Sequence, residues 1–497
     1  MLTLTNITAP QEPKDYAHLL RRFDLAKQRR SVWESTWQEC YDHALPQCGD
    51  FTHTAQPGRL RTERLYDGTA LDAVDQLAAS LLGHLTPPWT QWFGFRPGPD
   101  LSSQEADALS PVLEESARVI QSHFDNSNFS VEIHQCYLDL VVGGTAALYF
   151  EEAAPGSFSA FKFSSVPLSD IILEEGDGGA LDGSFRQMKL TLSQIRERYP
   201  DADIPANIAS EGSRDAQLRF SILESVLPDN AGYIYAALLT ENGQAVELSS
   251  GRFAGSPCIA FRWMKSPGEI YGRSPVMKAL PDIKTANKVV ELILKNASIA
   301  VTGIWQADDD GVLNPANIEL VPGAIIPKAV GSDGLKPLEM PARFDVSQLV
   351  IDDLRARIRH SLLIDKLGQL SGKRMTATEV AERAGEMALL LGATYGRLQS
   401  ELLTPLIRRA YSILRRRGEI ADIALDGRFV TLDYRAPLAR AQAHRNIQNT
   451  LHWLSSVQSM GPVASSAVNV VAAARYLGEA LGVPSDLIIK EVTDAGF

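Results

Sequence analysis

Apolar residues recur at steps of three and four over most of this chain, and the pattern predicts a mainly helical protein. Between Asp15 and Tyr41 one face carries Tyr16, Leu19, Phe23, Ala26, Trp33, Trp37 and Tyr41, and Arg21, Arg22, Arg29 and Arg30 lie around it as a solvated flank. A second helix places Leu71, Val74, Leu77, Ala78, Leu81, Leu82 and Leu85 together and stops at Pro87-Pro88. Trp89, Trp92, Phe93 and Phe95 follow at once and are expected to pin a loop to a core. Helices over 103–126 and 130–145 come next, the latter ending at Gly143-Gly144.

From Ala146 the period changes. Strands are expected at 147–150, 158–163 and 170–173, a short helix at 190–199 entered through Thr191 or Ser193, and a polar loop at 200–214. Strands at 218–226, 232–240 and 245–248 complete a β-rich insert spanning about 146–265, set between helical blocks as in an α+β protein.

Ser274-Pro275 opens the next helix, with a capping hydroxyl followed by proline at the first helical position. It should run to about Val301 with Leu280, Ile283, Ala286, Val290, Ile293 and Ala297 on one face, and with Pro281 bending its first turns. Residues 302–344 are rich in Gly, Pro, Asp and Asn and read as a small projecting strand-and-loop module. A helix from Asp345 carries Leu349, Leu354, Ile358 and Leu362, with Arg355, Arg357, Arg359 and His360 in its second half. A basic, flexible loop follows over 366–375, and Thr376-Ala377-Thr378-Glu379 has the form of a capping box. The long amphipathic helix it opens, kinked near Pro405, would span roughly 60 Å. After a strand at 429–432 the chain is helical again over 441–458 and 464–482.

Composition narrows the chemistry. The 497 residues call for two to four lobes, and the net charge of −12 argues against a general nucleic-acid binder while permitting a surface past which DNA slides. Neither a membrane span nor a secretory signal is expected, which places the chain in a cytoplasm-like compartment. Cys40, Cys48, Cys136 and Cys258 have no metal-ligand or disulfide spacing, and the nine histidines do not pair at ligand spacings. Gly368–Arg374 imitates a phosphate loop but is one residue short, and Arg374 stands where a Mg-binding hydroxyl is needed. Asp308-Asp309-Asp310-Gly311 lacks the downstream Glu of a calcium loop. No catalytic nucleophile, base, cofactor or metal constellation emerges, so an enzyme is not expected.

Four stretches nevertheless form a recognisable series: Arg64-Leu65-Tyr66-Asp67-Gly68-Thr69 with Leu85-Thr86-Pro87-Pro88 and Trp92-Phe93, Gly268-Glu269 with Tyr271-Gly272-Arg273-Ser274-Pro275, Met375–Val380, and Leu398–Leu402 with Pro405-Leu406. In this order the chain resembles the head-to-tail connector, or portal, proteins of podovirus-type bacteriophages over nearly its full length. The resemblance implies an α+β, mainly helical portal fold with wing, stem, clip and crown, assembling as a homo-oligomeric ring of twelve copies at one capsid vertex of the virion. Residues 1–274 would be the wing, 275–301 and 345–365 the stem helices, 302–344 the clip, 366–375 the tunnel loop, 376–439 a long wing helix with its strand, and 440–497 a helical crown. Double-stranded DNA would pass through the channel, with Lys366, Lys373 and Arg374 of the tunnel loop nearest its phosphates. Arg355, Arg357 and Arg359 would face the channel or bridge subunits. Implied partners are the terminase large subunit, the tail adaptor, and the major capsid and scaffolding proteins; assembly would take place in the host bacterial cytoplasm. A capsid-assembly protein without a DNA channel, or an enzyme with an unrecognised site, are the alternatives.

Overall fold

The computed structural model describes residues 16–51, 58, 61–88, 90–230, 232–241, 244–302, 305–307, 335–337, 344–364, 392–423, 425–460 and 468–481. Helices α1 (Ala17–Ala44) and α2 (Thr69–Leu85) lead into β1 (Phe93–Pro97), α3 (Ser103–Asp125) and α4 (Phe129–Gly143). The insert follows: β2 (Thr145–Glu152), β3 (Phe161–Val166), β4 (Ile171–Glu175), β5 (Leu181–Thr191), α5 (Leu192–Arg198), α6 (Ala206–Arg214), β6 (Arg219–Asp229), β7 (Gly232–Glu241), β8 (Gln244–Phe253) and β9 (Cys258–Arg262). Then come α7 (Pro275–Thr302), β10 (Trp305–Ala307), β11 (Leu335–Pro337), α8 (Phe344–Ser361), α9 (Gly392–Leu398), a π-helical turn (Gln399–Leu403), α10 (Thr404–Arg417), β12 (Val430–Tyr434), α11 (Pro437–Ser459) and α12 (Val470–Leu481).

One continuous core joins α1, α2, α4, β2, α7, α8 and α10, with Trp37, Leu77, Leu81, Tyr137, Leu148, Ile283, Ile358 and Leu406 all buried in it. Three of the four residues in the aromatic run after Pro88 behave as expected, and Trp89 lies outside the described residues. Trp92, Phe93 and Phe95 are buried, and β1 pairs antiparallel with β12, so residues more than 300 positions apart close one wall.

The insert holds two antiparallel sheets, ordered β3-β2-β9 and β4-β5-β6-β7-β8. The five-stranded sheet has apolar side chains on both faces. One packs Phe220, Ile222, Val226, Tyr235 and Leu239 against Leu192 and Ile195 of α5. The other packs Ile172, Phe185 and Leu223 against Phe23 and Ala26 of α1.

Three local expectations change. The polar stretch after Tyr199 contains helix α6, whose Ile208 is buried beside α5 while its remaining face is polar. Strand β5, between two expected elements, is the central partner of β4 and β6. The arginine flank of α1 is not wholly solvated: Arg30 is buried and donates to Ser169 O and Ile171 O at 2.8 and 3.1 Å, and Arg22 pairs with Glu174 at 2.6 Å. Those arginines tie the helix to β4. α5 does start at Thr191, which forms a capping box with Gln194.

The long helix expected after residue 375 is described only from Gly392, and it is interrupted. Proline has no N–H and its ring collides with the carbonyl four residues back. The chain meets this by widening into a π turn just before Pro405, where the Thr404 N–H reaches Gln399 O and the Thr404 hydroxyl donates to the same oxygen at 2.8 Å.

Candidate functional site: the base of the paired helices

Helices α7 and α8 pack together, and the strands that continue from them, β10 and β11, pair antiparallel. The two helices are therefore the legs of one hairpin. All the fully buried residues described in α7 lie in its first half, between Pro275 and Asn287, and the second half has none. The hairpin stands on a base, and three of the four stretches singled out in the sequence build that base.

The first is Arg64–Thr69. Asn287 of α7 accepts from the N–H groups of Tyr66 and Asp67 at 2.6 and 3.1 Å and donates to Arg64 O at 2.9 Å. Asp67, just before the N-cap Gly68, accepts from the first N–H of α2, that of Thr69, at 3.0 Å and takes Arg355 of α8 at 2.8 Å. Burial pushes the Asp67 carboxyl up, but the Thr69 hydroxyl and N–H and the Arg355 guanidinium outweigh it and hold the group below the usual carboxylate range. One aspartate thus locks α2, α7 and α8 to each other.

The second is Gly268–Pro275. Ser274 accepts from the Met277 N–H at 2.8 Å, capping α7, and donates to Val142 O at 2.8 Å, tying that cap to the end of α4. Gly144 has φ +78° at the α4 C-terminus, and Gly272 lies directly against it. A Cβ on either would come closer than 3.0 Å to the carbonyl oxygen of the other, so both positions need glycine for close approach. Tyr271 accepts from the Leu173 N–H at 3.1 Å and stands edge-on to Trp37 at 4.9 Å.

The third is the π turn. It aims Glu401 at Arg262, whose side chain is 0% exposed and which donates to Glu401 at 2.6 Å, to Gly179 O at 2.7 Å and to Ile270 O at 3.0 Å. Glu175 completes the cluster by pairing with both Arg262 and Lys265. Burial raises the Glu175 carboxyl, and these two cations reverse the effect and hold it low. The fourth stretch, Met375–Val380, lies outside the described residues, as do Lys366, Lys373 and Arg374.

The three arginines of α8 are placed differently from one another. Arg355 and Arg357 have partners within the chain, Asp67 and Asp282, each at 2.8 Å, while Arg359 is exposed. Two residues past the end of α8, Leu363 has φ +61° and is the only non-glycine residue with positive φ among those described.

Glu224 is a buried carboxylate that the sequence reading missed. It occupies a core-facing position on β6, between Ile222 and Val226, and receives Arg198 at 2.9 Å and the hydroxyls of Tyr199 and Tyr235 at 2.7 and 3.0 Å. The only signal was a charge breaking the alternation of an otherwise apolar strand face. A wide cleft between the insert and α10 is lined by Arg198, Arg252 and Arg416, which are paired with Glu224, Asp229 and Glu152. Among the described residues no group of three or more His, Cys, Asp or Glu could hold a metal ion, and no helix is long and apolar enough to cross a membrane.

Comparison with known proteins gives this arrangement a family. The chain is similar to the probable portal protein of Bordetella phage BPP-1, at 24% identity over 95% of this chain and 88% of that one. It is also similar to the portal protein of Salmonella phage epsilon15, at 23% over 95% and 88%, and to that of Escherichia phage T7, at 23% over 81% and 75%. A chain from the virion of a native gene transfer agent particle matches at 12% identity over 79% of this chain and 87% of that one, with a TM-score of 0.38. Residues 16–489 match the family model described as bacteriophage head to tail connecting protein, and the chain belongs to that family.

Proposed function

We propose that this protein is the portal subunit of a tailed phage: a structural, non-catalytic ring at one capsid vertex of the virion, through which double-stranded DNA is packaged and later ejected. The observation that carries this reading is the α7–α8 hairpin. Its base is fixed by Asp67, Asn287, Ser274 and paired glycines, whereas in the second half of α7, a helix of 28 residues or roughly 42 Å, none of the side chains whose burial is described is fully buried. A leg so firmly rooted and so sparsely covered suits a wall formed by neighbouring copies, and a heterologous contact closes into a ring when the rotation permits.

On this proposal 1–274 is the wing, α7 and α8 the stem, 302–344 the clip, 366–375 the tunnel loop, 376–439 the wing spine and 440–497 the crown. The ring has twelve copies, is assembled in the host cytoplasm with major capsid and scaffolding proteins, and docks first the terminase large subunit and then the tail adaptor. An acidic chain limits sticking of DNA, and Lys366, Lys373 and Arg374 supply brief phosphate contacts at the constriction. Arg359 is the α8 arginine best placed to reach the channel or a neighbour, because Arg355 and Arg357 are engaged within the subunit.

Negative-stain microscopy of the purified full chain tests this. Rings with a central hole are expected; monodisperse monomers under all conditions would refute the reading. Replacing Lys373 and Arg374 by Ala should leave rings intact and alter packaging or retention of DNA. Loss of rings would instead make those residues part of an interface.

A further inference from the structure

Among the described residues, the hairpin legs have outer flanks that are largely exposed. On α8 the inward residues are Ile351, Leu354 and Ile358, all buried, and at 3.6 residues per turn the opposite side carries Leu349, Asp352, Asp353 and Ala356. On α7 the inward residues are Ala279, Ile283 and Ala286, and the opposite side carries Lys284, Lys288, Leu292 and Lys295. Leu349 is 74% exposed and Leu292 47% exposed. A lone exposed leucine needs no explanation. Here Leu349 sits beside Asp352 and Asp353, and Leu292 sits among Lys284, Lys288 and Lys295, which outnumber the one carboxylate between them, Glu291, so the two flanks carry opposite net signs.

The flanks also match in height. Arg357 pairs with Asp282 across the antiparallel legs, so Leu349 to Asp353 of α8 lie level with the stretch of α7 from about residue 286 to 290. Lys284, Lys288 and Leu292 surround that level. The present partners of the lysines do not hold them back: in Lys284–Glu39, Lys288–Glu291 and Lys295–Glu291 the lysines are largely exposed, and such pairs contribute little and exchange readily.

We propose that the Lys284–Lys288–Leu292 flank of α7 docks onto the Leu349–Asp352–Asp353 flank of α8 in a second copy of this chain. The contact is heterologous, with the two leucines meeting inside a frame of lysine–aspartate pairs, and it repeats around the assembly. This rests on the portal-ring reading and adds to it which surfaces close the ring and in which direction.

The test uses the full chain with Cys48, the one native cysteine that is not buried, changed to Ser. Lys288→Cys and Asp353→Cys are made singly and together and treated with a short bismaleimide. The double variant should give a ladder of covalent multimers. Each single variant should give none, and a mixture of the two singles should give dimers only. Charge reversal supplies a second readout: Lys288→Glu or Asp353→Lys should each raise the subunit concentration needed for rings about tenfold, and the two together should restore it. Dimers from Lys288→Cys alone would mean an isologous contact and overturn the proposal. Rings in the microscope without a ladder would overturn it while leaving the portal reading standing, and an absence of rings under all conditions would overturn both.

Discussion

Single buried charges decide much of the local structure. Arg262 is held by Glu401 and, more loosely, by Glu175, in a place with no solvent exposure of its own side chain. Replacing Glu401 by Ala removes the closest partner of a buried cation, and the variant should lose about 3 kcal/mol of stability by denaturant titration. Asp139 works in the opposite sense. Burial and the nearby Asp170 push its carboxyl up to about 7, although Tyr41 donates to it at 2.7 Å. Between about pH 4 and pH 7 the folded state keeps a proton that the unfolded state has released, so the contribution of Asp139 to stability falls as pH rises through that window. Asp139→Asn should therefore melt higher than the parent at pH 8, and the two should converge near pH 4. A difference in melting temperature that is constant with pH would reject this assignment.

Among elements, the sharpest feature is the place where α4 ends and α7 begins. Gly144 needs a left-handed backbone, and its close contact with Gly272 lets Ser274 reach Val142. Gly144→Ala adds both a strained φ and a clash with backbone, and it should cost more than about 2 kcal/mol, well above the effect of Gly→Ala at an exposed loop site. Thermal melts of Gly144→Ala beside Gly156→Ala make the comparison, since Gly156 also has positive φ but meets nothing within 4 Å. The π turn is a second element-level device. Removing Ser400 should restore α-helical hydrogen bonding but rotate Glu401 away from Arg262 by about 100°, so the deletion should destabilise the protein rather than relax it.

At the scale of the whole molecule, the segment between β10 and β11 should be separable from the body. β10 and β11 pair with one another and bring the chain back to α8, so replacing 308–334 by a short linker should leave the melting temperature of the body within a few degrees. On the proposed function the same variant no longer binds the terminase large subunit. Unchanged binding in a pull-down would reject the clip assignment.

The periodicity alone located nearly every helix of the body, because each long helix buries one continuous stripe against a common core. The local sequence also placed the Ser274-Pro275 start and the stop at Gly143-Gly144 and narrowed the α5 cap to Thr191 or Ser193, of which the structure uses Thr191, since capping and termination depend on neighbours in sequence. It could not show that α6 is a helix, because one buried contact near Ile208 stabilises a stretch that is otherwise polar. Nor could it tell that Arg30 is buried, that Glu224 is neutralised by Arg198 and two tyrosines, or that Arg355 belongs to Asp67, 288 residues away. The chain by itself determined most of the helices and strands, α6 and β5 excepted, and where four distinctive stretches lie. Only the tertiary structure decided that three of those stretches converge on the base of one hairpin, because burial of a charge or close approach of two glycines depends on residues that are distant in sequence and adjacent in space.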